Sequence, residues 1–162
     1  MLTIKPYEFW FVTGSQHLYG EEALQEVEKH SVELTAKLNE TSKLPFNIVF
    51  KQVLTNAGAI HKLMLDANRN ENCAGIITWM HTFSPAKMWI AGLKALQKPL
   101  LHLNTQYNRD IPWETIDMDF MNLNQSAHGD REYGFIGTRL NVPRKVVVGH
   151  FESANVTKKV AD

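Results

Sequence analysis

The chain has 162 residues, 44% of them hydrophobic, and its charge is balanced, with 17 basic and 17 acidic side chains. This length suits one domain with a real core, and the charge balance argues against a nucleic-acid-binding surface or an acidic tail. No apolar stretch approaches the roughly 18 residues of a membrane span, and residues 1–6 lack the apolar segment of a signal peptide. Cys73, the single cysteine, is expected in the core. We expect a cytoplasmic protein that binds neither nucleic acid nor membrane.

The first half of the chain alternates apolar runs with amphipathic segments. The runs at residues 9–13, 46–53 and 74–79 predict strands. Apolar residues at helical spacing predict helices over residues 21–39 and around residues 60–67. The stripe of the first helix consists of Leu24, Val27, Leu34 and Leu38, with Ser31 among them.

The second half is less regular. Ser84 and Pro85 predict the start of a third helix, because serine caps helix N-termini and proline fits the first helical position. The fourth strand is predicted at residues 99–103. Residues 118–140 are broadly helical in period despite three glycines, which predicts one long helix, kinked or interrupted near Gly129.

The chain closes with a fifth predicted strand at residues 145–149 and a helix that Ser153 caps. This helix runs to Asp162 without a C-cap or glycine stop, so we expect that the chain has been cut or continues in its natural context. Strands that alternate with helices imply right-handed crossovers and parallel pairing. The sequence therefore predicts a single α/β domain over residues 1–162. Its fold is a three-layer sandwich with a mostly parallel, doubly wound, flavodoxin- or Rossmann-like sheet of about five strands.

Polar and aromatic side chains fill the loops after the predicted strands. They occupy residues 16–19, 80–83 and 104–107, and residues 122–129 are a candidate for a further wall. Open α/β folds bind ligands at this edge of the sheet, and the first loop matches neither a dinucleotide-binding motif nor a P-loop. Amides pair with vicinal hydroxyls as donor and acceptor, and aromatic rings cover the C–H faces of sugars. We therefore expect a polyhydroxylated ligand.

Each of these features also has a structural explanation. The polar loops are equally typical of solvated connections, and Phe83 is equally explained as a hydrophobic staple on the first turn of its helix. The amides around Gln125 also fit a polar helix face. His81 is expected to bond the backbone rather than a metal. His128 and the acidic residues after it match no zinc spacing, so carboxylates that face solvent are favoured over a metal cluster.

The motifs of standard catalytic centres are missing from the sequence. It contains no G-x-S-x-G elbow, no H-E-x-x-H motif and no second cysteine for C-x-x-C. No clear pair of carboxylates is embedded in apolar sequence. The residues alone therefore predict one wall of a site without its reaction centre.

Three sequence blocks resemble the L-arabinose isomerase family. They are FVTGSQHLYG at residues 11–20, WMHTFSPAKMW at residues 79–89 and IDMDFMNLNQSAHG at residues 116–129. They occur in the family's order, and the resemblance extends over essentially the whole chain, although the family's proteins are much longer. The resemblance implies an N-terminal domain, with the family's central and C-terminal catalytic domains absent from this chain.

The resemblance also implies a reaction. It is aldose–ketose isomerisation of L-arabinose to L-ribulose, and often of D-galactose to D-tagatose, by proton transfer between neighbouring carbons through an ene-diol. A divalent metal, usually manganese, polarises the substrate oxygens while glutamates act as acid and base. The family's metal ligands lie in its later domains. The resemblance therefore implies no metal ligand, no catalytic residue and no activity in this chain alone.

The resemblance implies that this chain supplies part of the wall of a binding site for an aldopentose or aldohexose substrate. In the family, the N-terminal domain of one subunit closes its neighbour's active site in a hexamer, a dimer of trimers. The matching positions here are Gln16, Leu18, Tyr19, Phe83, Gln125 and His128. Gln16, Gln125 and His128 are expected to hydrogen-bond sugar hydroxyls, and the other three to shape the pocket and exclude water.

The residues also bear on two other functional classes. A sugar sensor or regulatory module without catalysis remains an alternative, which sugar binding by the isolated domain would favour. A flavodoxin or response-regulator relative is disfavoured by the first loop. This loop lacks the Ser/Thr-rich phosphate loop that FMN needs, and it has Thr13 and Gly14 where a phospho-acceptor domain places acidic residues.

Overall fold

A five-stranded parallel sheet forms the centre of the computed structural model, which describes residues 5–162. Its strands are β1 (Glu8–Gly14), β2 (Asn47–Leu54), β3 (Cys73–Met80), β4 (Leu100–Asn104) and β5 (Lys145–Val148). Their order is β2-β1-β3-β4-β5, and every neighbouring pair is parallel. The predicted strands and their parallel pairing are therefore confirmed.

Helices cover both faces of this sheet. They are α1 (Gly20–Thr41), α2 (Ala57–Arg69), α3 (Ile90–Ala95), α4 (Met118–Leu123), α5 (Ser126–Arg139) and α6 (Ala154–Ala161). Short 3₁₀ turns at His17–Tyr19 and Ala86–Trp89 precede α1 and α3. None of the helices in residues 5–162 is long and apolar enough to cross a membrane.

Successive residues of β1 belong to two separate hydrophobic cores. Trp10 and Val12 face the core under α2, α3 and α5, whereas Phe11 faces the core under α1 and α6. This alternation follows from the period of two along a strand, and a strand buried on both faces reads as a continuous apolar run. Each large side chain that is fully buried stabilises the fold by about 1.5–3 kcal/mol. The predicted three-layer, doubly wound α/β fold is confirmed.

The prediction of one long helix over residues 118–140, kinked or interrupted near Gly129, is wrong in the position of the break and in the number of helices. The segment forms α4 and α5, which Asn124 and Gln125 separate. Asn124 leaves the helical conformation, with φ −109° and ψ 53°, and its side-chain amide donates to the carbonyl of Phe120 at 3.0 Å. Asparagine competes in this way with the helix backbone, which explains why the helix breaks here.

Gly129 lies inside α5 and does not interrupt it. A Cβ atom at this position would lie 3.0 Å from both the Cβ of Met80 and the carbonyl oxygen of Thr82. The glycine therefore allows α5 to approach the end of β3 closely, a tertiary requirement that helix propensity does not reveal.

Ser84 and Pro85 do not begin an α-helix as predicted. Pro85 precedes the 3₁₀ turn, and the regular helix α3 starts only at Ile90. The buried hydroxyl of Ser84 instead accepts the indole N–H of Trp89 at 3.0 Å. A buried indole needs such an acceptor, which explains why this serine does not act as a cap.

Two smaller predictions are confirmed. Ser153 occupies the N-cap position of α6, although its carbonyl rather than its hydroxyl accepts the N–H groups of Val156 and Thr157. Cys73 is a core residue with 1% of its surface exposed. Burial raises the pKa of the Cys73 thiol, which keeps it protonated and unreactive.

Candidate functional site

The carboxyl ends of β4 and β5 open into a cavity of about 770 Å³. The loop after β4, the α4–α5 region and residues 148–150 form its walls. Amide and imidazole groups line much of it, supplied by Asn104, Gln106, Asn108, Asn124, Gln125 and His128. Exposed apolar side chains of Ile111, Met121 and Val148 also contribute to the wall. The cavity thus combines hydrogen-bonding groups with apolar surface.

The first turn of α5 brings Gln125 and His128 to this cavity. The carbonyl of Gln125, the N-cap residue, accepts the N–H groups of His128 and Gly129 at 3.1 and 3.0 Å. The Gln125 side chain does not cap the helix, and its amide donates to Asn122 Oδ1 at 3.3 Å. The His128 side chain is 61% exposed. Both side chains therefore present polar atoms at the cavity.

Phe83 joins this group from the loop after β3. Its ring stacks on the imidazole of His128, with centroids 4.6 Å apart and planes 27° apart. This contact with α5 was not anticipated by the interpretation of Phe83 as a hydrophobic staple. The structure therefore brings three of the six predicted positions together: Phe83, Gln125 and His128.

The first loop lies apart from the cavity. Gln16 and Tyr19 are half-buried, Leu18 is 82% exposed, and none of the three lines the cavity. The 3₁₀ turn that carries Leu18 is tied towards β2, since His17 Nε2 lies 2.9 Å from the hydroxyl of Thr55. Gln16, Leu18 and Tyr19 therefore form a second surface, which we call the first-loop surface.

Buried contacts fix the ends of β1 and β3 against each other. The hydroxyl of Thr82 donates to that of Ser15 at 2.7 Å, and both side chains are fully buried. A Cβ atom on Gly14 would lie 2.5 Å from Met80 Sδ, so only glycine fits without a shift. The strand order reverses at this pair, where doubly wound folds commonly bind ligands. Here the packed side chains hold the two loops rigidly.

The loop after β4 is anchored on several sides. The indole N–H of Trp79 donates to the carbonyl of Thr105 at 2.8 Å, and the Thr105 hydroxyl accepts the N–H of Phe151 at 3.0 Å. Asn108 donates to Asn124 Oδ1 at 2.9 Å. These bonds connect β3, the loop after β5 and the α4–α5 junction, so this part of the cavity wall is preorganised.

A buried ion-pairing contact lies beneath α5. His102 Nε2 of β4 is 2.6 Å from Asp130 Oδ1, and both side chains are almost completely buried. Burial raises the pKa of Asp130 to about 6, although the hydrogen bond with His102 opposes the increase. The expectation that the acidic residues after His128 face solvent is therefore wrong for Asp130.

A pair of buried histidines connects the loop after β3 to α1. His81 Nε2 lies 2.7 Å from His30 Nδ1, and the His81 ring stacks on Trp79 with centroids 4.3 Å apart. His30 in turn stacks on Tyr107, whose hydroxyl donates to Glu33. The sequence predicts a backbone partner for His81, whereas the structure pairs it with His30. The histidine pair thereby helps to anchor Tyr107 and the loop after β4.

Acidification is expected to destabilise the fold through His81. Burial, and secondarily the neighbouring His30, lower the pKa of His81 to about 3. Between pH 6.5 and 3 the unfolded chain therefore binds a proton at this residue that the folded chain does not. The free energy of unfolding should consequently fall by about 2 kcal/mol from pH 7 to 5 through this residue. Urea denaturation at both pH values measures the difference.

His81→Leu is expected to lose most of that pH dependence, whereas His61→Leu on α2 should retain it. Each variant is compared with the wild-type chain at the same pH, because Asp130 acts in the opposite direction. Its raised pKa favours the folded state on acidification between pH 6 and 3.8. An equal pH dependence in His81→Leu and wild type would contradict the assignment.

Residues 3–162 match the family described as the L-arabinose isomerase N-terminal domain. The chain belongs to this family. It is 67% identical over 161 residues to the L-arabinose isomerase of Geobacillus stearothermophilus and 62% identical over 161 residues to that of Clostridium beijerinckii. It is 61% identical over 160 residues to that of Koribacter versatilis. Each comparison covers 99% of this chain but only 32% or 33% of the relative. The chain therefore spans about a third of the length of these relatives.

Within this L-arabinose isomerase N-terminal domain, the described side chains do not fit a manganese site. Across residues 5–162, no group of three or more His, Cys, Asp or Glu side chains is arranged to hold a metal ion. His128 Nε2 is 4.0 Å from a carboxylate oxygen of Glu132, while Asp130 is bonded to His102. The histidine and acidic residues of positions 128–132 are thus close in sequence, but their side chains do not point to one shared metal position.

Several residues of the cavity were missed by sequence analysis of this L-arabinose isomerase N-terminal domain. Arg109, Asp110 and His150 line it beside the predicted Gln125 and His128. Arg109 and Asp110 are exposed. Their sequence context is an ordinary polar loop, which contains no local signal that distinguishes them from solvated residues. Only the fold brings them to one cavity.

Proposed function

We propose that this chain is the substrate-capping domain of an L-arabinose isomerase. Its residues would form part of the wall around L-arabinose or D-galactose. The observation that carries the proposal is that Gln125 and His128 line one polar cavity while Phe83 stacks on the imidazole of His128. Its volume of about 770 Å³ lies in the range of small-molecule sites, about 300–1,000 Å³, and exceeds that of one sugar. A second surface therefore has to complete the enclosure.

The three converging side chains offer complementary interactions to a sugar. The Gln125 amide provides both a donor and an acceptor, which matches vicinal hydroxyls. The exposed imidazole of His128 offers a further hydrogen-bonding nitrogen. Phe83 stacks on one face of this ring and so restricts its orientation. The roles we assign are therefore hydrogen bonding to Gln125 and His128, and shaping of the pocket to Phe83.

The first-loop surface fits an assembled site. Leu18 is 82% exposed, so its side chain is accessible to a neighbouring subunit. We assign Gln16, Leu18 and Tyr19 to the same substrate in a homo-oligomer, a hexamer built as a dimer of trimers, in which this domain closes a neighbouring subunit's active site. We place the manganese ligands and the acid–base glutamates in the two thirds of the relatives that this chain does not cover. The single buried cysteine supports a cytoplasmic location.

Calorimetric titration with L-arabitol, an unreactive analogue of the sugar, tests the proposal. One sample is the 162-residue chain. The other is a fusion enzyme, in which the chain replaces the corresponding third of the Geobacillus stearothermophilus L-arabinose isomerase. The fusion enzyme should bind the polyol, and the chain alone should give no measurable heat, because a half-formed wall lacks most of the contacts. Tight binding by the chain alone would overturn the proposal and favour a sugar sensor or regulatory module.

A further inference from the structure

We propose that His102 and Asp130 are positioning residues for the substrate wall. Their buried hydrogen bond sets the position of the first turn of α5 and thereby orients Gln125 and His128 at the cavity. Neither residue lines the cavity, so both act through α5. The link to substrate rests on the proposed function, whereas the link to the geometry of α5 does not.

The pair connects the helix directly to the sheet. His102 lies in the middle of β4, and Asp130 lies on α5 two residues after His128. Their Nε2–Oδ1 distance of 2.6 Å is typical of a strong, charge-assisted hydrogen bond. The ring of Tyr133, one turn further along α5, packs edge-on against the same imidazole at 4.9 Å. His102 is thus held between the strand and the inner face of α5.

A second contact makes the placement of α5 specific. Gly129 brings the helix backbone against Met80 and Thr82 at the end of β3. Asp130, the next residue, is tied to β4. Two adjacent residues of the first turns therefore fix the helix on two neighbouring strands, and a rotation of α5 about its axis would break the hydrogen bond. Such a rotation would also move His128 away from Phe83.

Stability alone does not explain this pair. A buried ion-pairing contact is commonly neutral for stability, or worse, relative to apolar side chains of similar volume. Burial raises the pKa of Asp130 to about 6, which shows that the carboxylate is disfavoured in this environment. Among residues 5–162, no side-chain or backbone group meets the hydrogen-bond criteria for Asp130 Oδ2 or His102 Nδ1. The hydrogen bond between His102 Nε2 and Asp130 Oδ1 is therefore the directional contact between α5 and β4, as a positioning pair requires.

The double variant His102→Leu/Asp130→Leu tests this role, because it removes both polar groups and leaves neither one buried without its partner. The readout in the 162-residue chain is the nuclear Overhauser effect between the rings of Phe83 and His128. We expect this signal to be lost in the double variant while the dispersed amide spectrum of a folded chain is retained. The single variant Asp130→Asn keeps a hydrogen-bond acceptor for His102 and should therefore show the signal at wild-type strength. Asp119→Asn, on the exposed side of α4, is the matched control and should also leave the signal unchanged.

The fusion enzyme supplies the functional readout. The double variant should raise the KM for L-arabinose by about tenfold, because small displacements of substrate-positioning groups have effects of this size or larger. Asp130→Asn should keep a KM close to the wild-type value. If the double variant does not fold, Asp130→Leu alone provides the same two measurements, with His102 Nε2 left without its carboxylate partner.

A ring–ring signal of wild-type strength in a folded variant without the hydrogen bond would overturn the positioning role. A lost signal supports it, whatever the kinetics show. If the signal is lost but the KM is unchanged, and His128→Ala also leaves the KM unchanged, the proposed substrate contact fails while the positioning role stands. The two inferences are therefore separable.

Discussion

The fusion enzyme is expected to isomerise L-arabinose, whereas the 162-residue chain alone is expected to convert none. In the described part of the chain, no metal-binding group is formed and its buried carboxylate Asp130 is occupied by His102. Enzymes accelerate their reactions by about 10⁶-fold or more, so loss of the reaction centre removes all measurable conversion. Ketose formation is measured with manganese at equal molar concentrations of the two proteins.

Two controls define this comparison. A mixture of the chain with the separately expressed remainder of the relative shows whether the covalent connection is needed. The fusion enzyme treated with a chelator shows whether its activity depends on metal. Metal-dependent conversion of L-arabinose by the purified 162-residue chain would contradict the proposal that this domain only completes the substrate wall.

His128→Ala in the fusion enzyme is expected to lower kcat/KM by about 10- to 100-fold, the range for loss of a hydrogen bond to a polar or charged group. Its effect on stability should stay within about 0.5 kcal/mol, because the side chain is 61% exposed and lies on the surface of α5. Steady-state kinetics and thermal unfolding of the same preparation separate the two effects.

His61→Ala is the matched control, since His61 lies on α2 and does not line the cavity. It should leave kcat/KM unchanged. The substrate contact would be refuted if His128→Ala lowered the unfolding temperature sharply while activity per folded molecule remained normal. In that case the Phe83–His128 stack serves the fold alone.

The centre of the sheet was predictable because β1 and β3 are buried on both faces. Runs such as residues 74–79 contain little but apolar residues, and each is separated from the next by a helical stripe. Burial of Phe11 and Trp10 in opposite cores needs no information beyond the alternation of side chains along a strand. Local pattern and global fold agree at these positions, so the inference from periodicity succeeds.

The helix boundaries failed where tertiary contacts decide them. The low helix propensity of Gly129 predicted a kink, but this glycine instead leaves room for Met80 and Thr82 to pack against α5. Ser84 suggested a cap from its position before Pro85, but it is the acceptor for a buried indole. In both cases the deciding partner is distant in sequence.

The sequence predicted which loops contribute to the site, but not how these loops are arranged around it. Family resemblance selected six positions, and the fold brings Phe83, Gln125 and His128 together but leaves the first-loop surface apart. The pairing of His102 with Asp130 was missed, although a single histidine among the leucines of β4 was a detectable signal. An unusual polar residue in an apolar strand identifies one partner, but only the packing of α5 identifies the other.

The central position of β1 in the sheet determines when the sheet can form during synthesis. Of the strands in residues 5–162, β1 is synthesised first, yet it pairs with β2 and β3 on its two sides. Its second edge therefore remains open until Met80 has been made. During this interval Phe11 and Val12, which are completely buried in the finished domain, lack the neighbours Ile77 and Thr78 that β3 supplies. The unit β1–α1–β2 can form early, but the sheet gains its central pair only when half of the domain has been translated.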